Sequence, residues 1–287
     1  MQSVVSFRGR SEFDPYYDAH VAQWTKAEAA IAAQETVEGY CDCCRARVPL
    51  RVDGGDRFGD TISLRSGMQC PRGLQGHSRL LLRVIHQQQP HGVCAVFEEG
   101  TQFTDALRRT TDLTLLESEY FGAEKPSGTV LRKHGRDVVH QDMTATTYGD
   151  NSVDLVVHSG VIEHVPDDVA AFRDHHRILR PGGLLAFSAP FFVHLDETVV
   201  LATMGEDGEP RVVGDPVYHG DPMGDLILTY HLHGWDLLDR VAAAGFVDVA
   251  VQLCFDPDSG LLSDNHPVIR GGNNPPLLIT ARKPAGS

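Results

Sequence analysis

The apolar positions change rhythm along the chain and divide it into three parts. Residues 15–35, PYYDAHVAQWTKAEAAIAAQE, are alanine-rich and predict an N-terminal helix. Between about 40 and 80 the pattern breaks up among cysteines, glycines and basic residues, and HSRLLLRVIHQQQ then predicts a helix leaving that compact segment. From about 92 onwards, short β-rich runs alternate with helical stretches. GVCAVFE, LTLLES, GRDVVHQD, SVDLVVHSG and GGLLAFSAP predict strands, followed late in the chain by FVDVAVQLCF and PLLITARKP. FTDALRRT, DDVAAFRDHHRIL and GWDLLDRVAAAGF predict helices, the last capped at its C-terminus by Gly245. Such alternation predicts a parallel sheet with crossover helices. Residues 192–233 interrupt it with Asp, Gly, Pro and His, and predict an insertion over the active face. The expected organisation is a helical segment at 1–38, a cysteine module at 39–85 and an α/β domain at 86–287 that carries the insertion.

Composition narrows the function. A chain of 287 residues with an ordinary apolar content can bury a substantial core. Its net charge of -14, with no basic stripe to neutralise phosphates, argues against general nucleic-acid binding. No stretch is apolar enough to span a bilayer, and the first twenty or so residues lack the core of a signal peptide, so a cytoplasmic protein without a membrane partner is expected. Four of the six cysteines lie between positions 41 and 70, and in a reducing compartment that clustering suggests a metal site more than disulfides. Nothing in the pattern signals an oligomeric state.

The stretch VCAVFEEGTQFTDALRR, residues 93–109, ends an apolar run in an acid, Glu98, with Gly100 two residues later and a helix-like segment beyond. A cofactor-binding turn at such a place reads acid-x-Gly-x-Gly-x-Gly, yet Gln102 and Thr104 hold the second and third glycine places. Further on, DNSVDLVVHSGVIEHVPDDVAAFRDHHRILRPGGLLAFSAPF, residues 150–191, has a strand carrying Asp154, then S-x-V-I-E-H-V, a helix ending R-I-L-R-P-G-G and a strand ending at Pro190. These motifs resemble class I S-adenosylmethionine-dependent methyltransferases. SEYFG at Ser118 to Gly122 and YHGDP at Tyr218 to Pro222 resemble a bacterial subgroup whose catalytic domain follows a cysteine module.

The resemblance implies a Rossmann-like, doubly wound α/β sheet with an antiparallel last strand, preceded by the small cysteine-containing zinc module, and S-adenosylmethionine as cofactor. Glu98 and Gly100 fall at its acid and first glycine. Glu119 ends the second strand, where an acid can accept hydrogen bonds from both ribose hydroxyls, with Glu117 as the alternative if the register slips. Asp142 corresponds to the acid that accepts from the adenine amino group, Met143 packs on the ring, and Ser159, Gly160 and Val161 line the methionine part. S-adenosylmethionine has no pyrophosphate, so a dense phosphate-cradling glycine set is less needed, and the loop reads as a variant site more than a relic.

In the cysteine module Cys41 and Cys44 form a C-x-x-C pair and Cys70 supplies a third thiol, but Gly73-Leu74 follow where a second pair would be completed. The fourth ligand is then Cys43, His77 or a residue from elsewhere. Side chains of adjacent cysteines diverge, which favours His77. Structural zinc is expected, since so small a module has little core of its own, and buried thiols that simply pack are the alternative.

Methyl transfer is an in-line displacement that needs the nucleophile held in line and, for a hydroxyl or ammonium, deprotonated. His164, in IEHV just past the fourth strand, is the candidate general base, with Glu163 orienting or capping. In the insertion, His231 and His233 would share one face of an extended segment and, with His219, Asp221 or His194, could hold a metal. Alternatively they line a pocket for a small-molecule or glycan-like acceptor, in which Tyr218, His219 and Asp221 are preferred and His219 is a second catalytic candidate. Methyl transfer leads. A repurposed fold with metal-dependent chemistry in the insertion, and a non-enzymatic binding protein, are the competing readings.

Overall fold

The chain begins with a strand, β1 (Val5–Phe7), and a long helix, α1 (Arg10–Ala32). The computed structural model describes residues 2–52, 57–58, 61–133, 135–220, 226–263 and 274–286. The exposed helix α1 buries one stripe, Phe13, Trp24, Glu28 and Ile31, and Trp24 stacks on Phe255 with ring centroids 5.0 Å apart. The cysteine segment follows as β2 (Thr36–Cys41), β3 (Ala46–Val52), a short hairpin of β4 (Arg57–Phe58) and β5 (Thr61–Ile62), the single turn α2 (Leu64–Gly67) and β6 (Met68–Gln69). Strands β2, β3 and β6 make a three-stranded sheet.

The α/β body starts at helix α3 (Gly76–Gln88) and runs through β7 (Val93–Val96), α4 (Gln102–Thr110), β8 (Thr114–Glu119), β9 (Val130–Lys133), β10 (Arg136–His140) and β11 (Val153–Ser159). Helix α5 (Asp168–Ile178) and strand β12 (Leu179–Ser188) precede the insertion. After it come α6 (Asp236–Ala243), β19 (Val247–Leu253) and β20 (Leu277–Arg282), the numbers 13 to 18 belonging to the insertion's strands described below. All seven strand candidates and all the helix candidates are present.

The main sheet has nine strands in the order β1-β19-β20-β12-β11-β7-β8-β10-β9. β10, β8, β7, β11 and β12 are parallel, whereas β20 is antiparallel to both β12 and β19. This is the expected doubly wound α/β sheet with an antiparallel last strand. The strand order reverses between β7 and β11, so a crevice opens beyond their carboxyl ends, the usual ligand position in such sheets.

Each face of the sheet has its own core. On one face Ala171, Phe172 and Ile178 of α5 and Leu237, Leu238 and Val241 of α6 pack with Val156, Leu185 and Phe187. On the other, Leu80 to Leu82 of α3 and Phe103, Ala106 and Leu107 of α4 pack with Cys94, Val96, Leu155 and Val157. Burial on both sides explains why the central strands are continuous apolar runs with little alternation.

Two sequence-based boundaries move. β1 pairs antiparallel with β19, so the N-terminal segment adds an edge strand to the sheet. Helix α3, expected to leave the cysteine module, covers the sheet face, and Cys41, Cys43, Leu50 and Cys70 share its apolar cluster. The module is further clamped by Arg83 of α3, which is buried and donates to Asp42 (3.0–3.2 Å) and to Asp256 (2.8 Å). At Gly39 a Cβ would sit 2.3 Å from the Asp258 carbonyl oxygen, so only glycine lets β2 approach the turn at Pro257–Ser259 this closely.

The insertion is a nested set of short antiparallel pairs: β13 (Val199–Val200), β14 (Ala202–Met204), β15 (Pro210–Val212), β16 (Tyr218–Gly220), β17 (Leu226–Leu228) and β18 (His231–Leu232). β14 pairs with β15, β16 with β17, and β18 returns to β13. Its end is fastened beyond β11, where the Tyr230 N–H donates to the Glu163 carbonyl oxygen at 2.8 Å.

Candidate functional site

The site is built where β7, β8, β10 and β11 end. After β7 the chain turns through Gly100, whose φ of +76° lies in the left-handed region that favours glycine. Thr101 is the N-cap of α4 and accepts from the Thr104 N–H at 3.2 Å. The Thr104 hydroxyl is fully buried and donates back to the Glu98 carbonyl oxygen at 2.5 Å. Gln102 points its amide towards Gly73, in the loop after Cys70. Of the two residues at the missing-glycine places, Thr104 braces the turn and Gln102 reaches towards the loop after Cys70.

Three carboxyl groups converge here. Burial pushes the Glu98 carboxyl up to about 8, Glu119 and Glu163 add to the rise, and the Thr101 hydroxyl and the Ser159 N–H oppose it. One Glu98 oxygen accepts from Thr101 at 3.2 Å, while the other is buried without a partner among the described residues. Glu119 ends β8, with Oε1 accepting the Tyr120 N–H at 3.0 Å. Glu117 is engaged by Arg108 of α4 at 2.5 Å, which leaves Glu119 as the acid at the strand's end.

Parallel pairing sets His140 of β10 beside Glu119. Asp142 follows two residues later, its Oδ1 accepting from the Thr144 N–H (2.8 Å) and hydroxyl (2.7 Å). Asp174 of α5 holds this loop from below through Thr146, at 2.6 Å to its hydroxyl. Met143 is buried in the core that includes Phe97. Ser159 ends β11 and shares a hydrogen bond with Ser188 of β12 at 2.8 Å, and Gly160 turns away with a φ of +68°. Val161 is half-buried beside it. The half-exposed Tyr120, in SEYFG, lies electrostatically near Asp142 and Tyr230.

Beyond β11, a single 3-10 turn (Ile162–His164) carries Glu163 and His164. The insertion brings His219 to them: its Nδ1 lies 3.6 Å from Glu163 Oε1, and the His164 and His219 rings meet edge-on at 5.2 Å. His164 donates Nδ1–H to the Leu228 carbonyl oxygen at 2.8 Å, which leaves the lone pair on Nε2, 3.9 Å from Glu163 Oε1. Tyr218 is half-exposed next to His219, and Asp221 lies outside the described residues.

His231 and His233 do share a face, with rings 5.7 Å apart, and that face is buried. His233 Nδ1 accepts from Arg240 at 3.1 Å, and Arg240 in turn pairs with Asp168 at 2.5 Å. Burial holds both imidazoles below their ordinary range. Alternation along a strand identified the shared face, but the packing of α5 and α6 beneath it depends on the tertiary fold.

In the cysteine module Cys41, Cys44 and Cys70 place their sulfur atoms within 4.8 Å of one another. The Cys44 N–H donates to the Cys41 sulfur at 3.4 Å. His77 does not join them: it is partly buried beside Arg65 and Arg79, and burial lowers its pKa well below the ordinary range. Cys43 lies outside that group of three but interacts with Cys41 and Cys70. The thiols of Cys41 and Cys43 both donate towards Cys70 and hold it low, with the N–H groups of Arg72 and Leu74 assisting. Arg109 of α4 donates to the Cys43 sulfur at 3.5 Å.

Residues 112–187, from the approach to β8 through β12, match the family model described as a methyltransferase domain. Among solved structures, the chain is similar to an S-adenosylmethionine-dependent methyltransferase of Mesorhizobium loti (15% identity, 70% of this chain and 97% of that one, TM-score 0.38). It is also similar to the 1,6-didemethyltoxoflavin-N1-methyltransferase of Burkholderia thailandensis with bound 1,6-didemethyltoxoflavin and S-adenosylhomocysteine (15% identity, 72% and 78%, TM-score 0.38). A third is an S-adenosylmethionine-dependent methyltransferase of Methanosarcina mazei (13% identity, 70% and 97%, TM-score 0.38). No curated protein matches the chain.

Proposed function

We propose that the protein transfers a methyl group from S-adenosylmethionine to a small-molecule or glycan-like acceptor. The observation that carries this reading is the placement of Glu98, Glu119 and Asp142 at or just beyond the carboxyl ends of β7, β8 and β10, beside the switch point of the sheet, within a chain whose residues 112–187 match a methyltransferase domain. The residues fit the cofactor. The unpartnered buried oxygen of Glu98 suits a cationic ammonium, Glu119 suits a ribose diol, and Asp142 beside Met143 suits an adenine edge and face. S-adenosylmethionine supplies the electrophilic sulfonium methyl when bound. The chain's own residues hold the acceptor in line and manage its proton, the task assigned to His164 and His219, with Tyr218 and Asp221 on the acceptor side. Labelled-methyl transfer to a panel of hydroxylated and amine-bearing small molecules and oligosaccharides tests it. Acceptor-dependent formation of S-adenosylhomocysteine is expected, and cofactor binding without turnover on any acceptor would favour a repurposed fold.

The module is proposed to hold one structural zinc on Cys41, Cys43, Cys44 and Cys70. Four thiolates on Zn²⁺ carry excess negative charge. The buried Arg79 fits that charge: among the described residues its guanidinium donates only to carbonyl oxygens (Met68, Leu74, Ser259 and Gly260), and burial pushes its pKa down, opposed by the nearby thiols Cys41, Cys70 and Cys43 and by Asp42.

A further inference from the structure

We infer that Glu163, His164 and His219 form a binding site for one divalent cation at the acceptor side of the crevice, and that the cation takes an oxygen of the acceptor. The inference rests on the methyltransferase reading of the same crevice for its role, though not for its existence. The three ligand atoms, one carboxylate oxygen and two imidazole nitrogens, all lie within 4.8 Å of one another. Cation–ligand distances of about 2.0–2.2 Å require neighbouring ligand atoms about 3 Å apart. The present 3.6 Å and 3.9 Å separations from Glu163 therefore need to close by less than an ångström.

Three further features belong to a ligand set more than to a chance cluster. Glu163 is only 2% exposed, and its Oε2 has no hydrogen-bond partner among the described residues. No Lys or Arg pairs with it among the described residues; its ion-pair neighbours are the two histidines. A buried carboxylate so placed is costly unless a cation meets it. The tautomer of His164 is already set, because Nδ1–H is committed to the Leu228 carbonyl and Nε2 presents a lone pair, the outer-shell arrangement that metal-bound imidazoles use. The main chain of Glu163 is held as well, with the Tyr230 N–H donating to its carbonyl oxygen.

Position gives the site its purpose. A Cβ on Gly160 would stand 3.5 Å from Glu163 Oε1, which sets the carboxylate against the loop proposed to line the methionine part of the cofactor. His219 is partly exposed, so the remaining coordination positions face the open side. Two imidazoles and one carboxylate suit Mn²⁺, Fe²⁺, Co²⁺ or Zn²⁺ better than the all-oxygen preferences of Mg²⁺ or Ca²⁺. An acceptor hydroxyl bound there has a lowered pKa. With the cation bound, His164 and His219 act as its ligands in place of the proton-handling role proposed above; the acceptor's proton passes to solvent, its oxygen forms the bond to the methyl carbon, and the carbon–sulfur bond breaks with the electron pair left on S-adenosylhomocysteine.

The test is a Mn²⁺ titration of the chelator-treated full chain, followed by the electron paramagnetic resonance signal of the free ion. Mn²⁺ avoids thiolates and so reads this site apart from the cysteines. One bound Mn²⁺ per chain is expected, weakened at least tenfold in both Glu163→Gln and His219→Ala. S-adenosylhomocysteine binding, measured by calorimetry on the same samples, separates the two readings. Absence of Mn²⁺ binding with S-adenosylhomocysteine binding intact overturns the site and leaves methyl transfer standing. Mn²⁺ binding lost in the variants, but with no S-adenosylhomocysteine binding by the parent chain, sustains the site and removes the methyl-transfer reading. Mn²⁺ binding unchanged in both variants overturns the site. Should Glu163→Gln fail to fold, His219→Ala, on a partly exposed hairpin, decides alone.

Discussion

Glu98 is the residue whose chemistry speaks most directly about a ligand. Its carboxyl is raised to about 8 mainly by burial, so in the free protein it is largely protonated at pH 7. An ammonium placed against its unpartnered oxygen would favour the ionised form and pull the pKa down. Binding of an amino-acid-bearing cofactor should therefore release protons near neutrality, and affinity should rise with pH until it levels off above about 8. Calorimetry of S-adenosylhomocysteine at pH 7 in buffers of different ionisation enthalpy should show a fractional proton released per site, and Glu98→Gln should abolish that release. For the free protein the sign is opposite. A raised folded-state pKa means Glu98 is neutral in its effect below the unfolded value of 4.5 and increasingly destabilising as pH climbs to about 8.

At the scale of elements, the turn from β7 into α4 keeps its shape with a single glycine. Thr101 caps the helix, the Thr104 hydroxyl bonds the Glu98 carbonyl, and the turn itself needs only Gly100. Thr104→Gly restores the common pattern but removes that bond and puts glycine in the first turn of a helix. It should cost about 1–2 kcal/mol in a urea melt without tightening S-adenosylhomocysteine. Tighter binding at unchanged stability would mean that Thr104 obstructs the site. The strands and helices of the α/β body were legible because their apolar periods are long and punctuated by glycine and proline. β1 and β9 were not, being short edge strands whose pairing depends on partners far along the chain or across a hairpin. α3 was legible as a helix, but its face could not be assigned, since its buried Arg79 and Arg83 read as polar positions and only the packed structure shows what they bind. The same limit explains why His77 lies apart from the Cys41, Cys44 and Cys70 cluster, and the burial of His231 and His233. Glu163 could have been found from its place beside His164, but its convergence with His219 depends on how the insertion folds back.

Taken whole, the molecule has two cores joined through one sheet, and the cysteine module belongs to one of them. Cys41, Cys43 and Cys70 share an apolar cluster with α3, α4 and the central strands, while Arg83 ties Asp42 to Asp256 across the junction. Purified protein should contain one thiolate-bound zinc per chain. Its removal by a strong chelator should lower the melting temperature of the whole chain as a single transition, measured by differential scanning calorimetry. An α/β transition unmoved by zinc loss would show that the module folds separately. No helix among the described residues is long and apolar enough to cross a membrane.

The central claim is that the crevice at the switch point binds S-adenosylmethionine through the acids at the ends of β7, β8 and β10. Calorimetric titration of the metal-replete chain with S-adenosylmethionine and S-adenosylhomocysteine, beside an Asp142→Ala variant shown to be folded, tests it most directly. The prediction is micromolar binding of both ligands by the parent chain, weakened at least tenfold in the variant. No binding by the folded parent chain, or equal binding by the variant, would contradict the account.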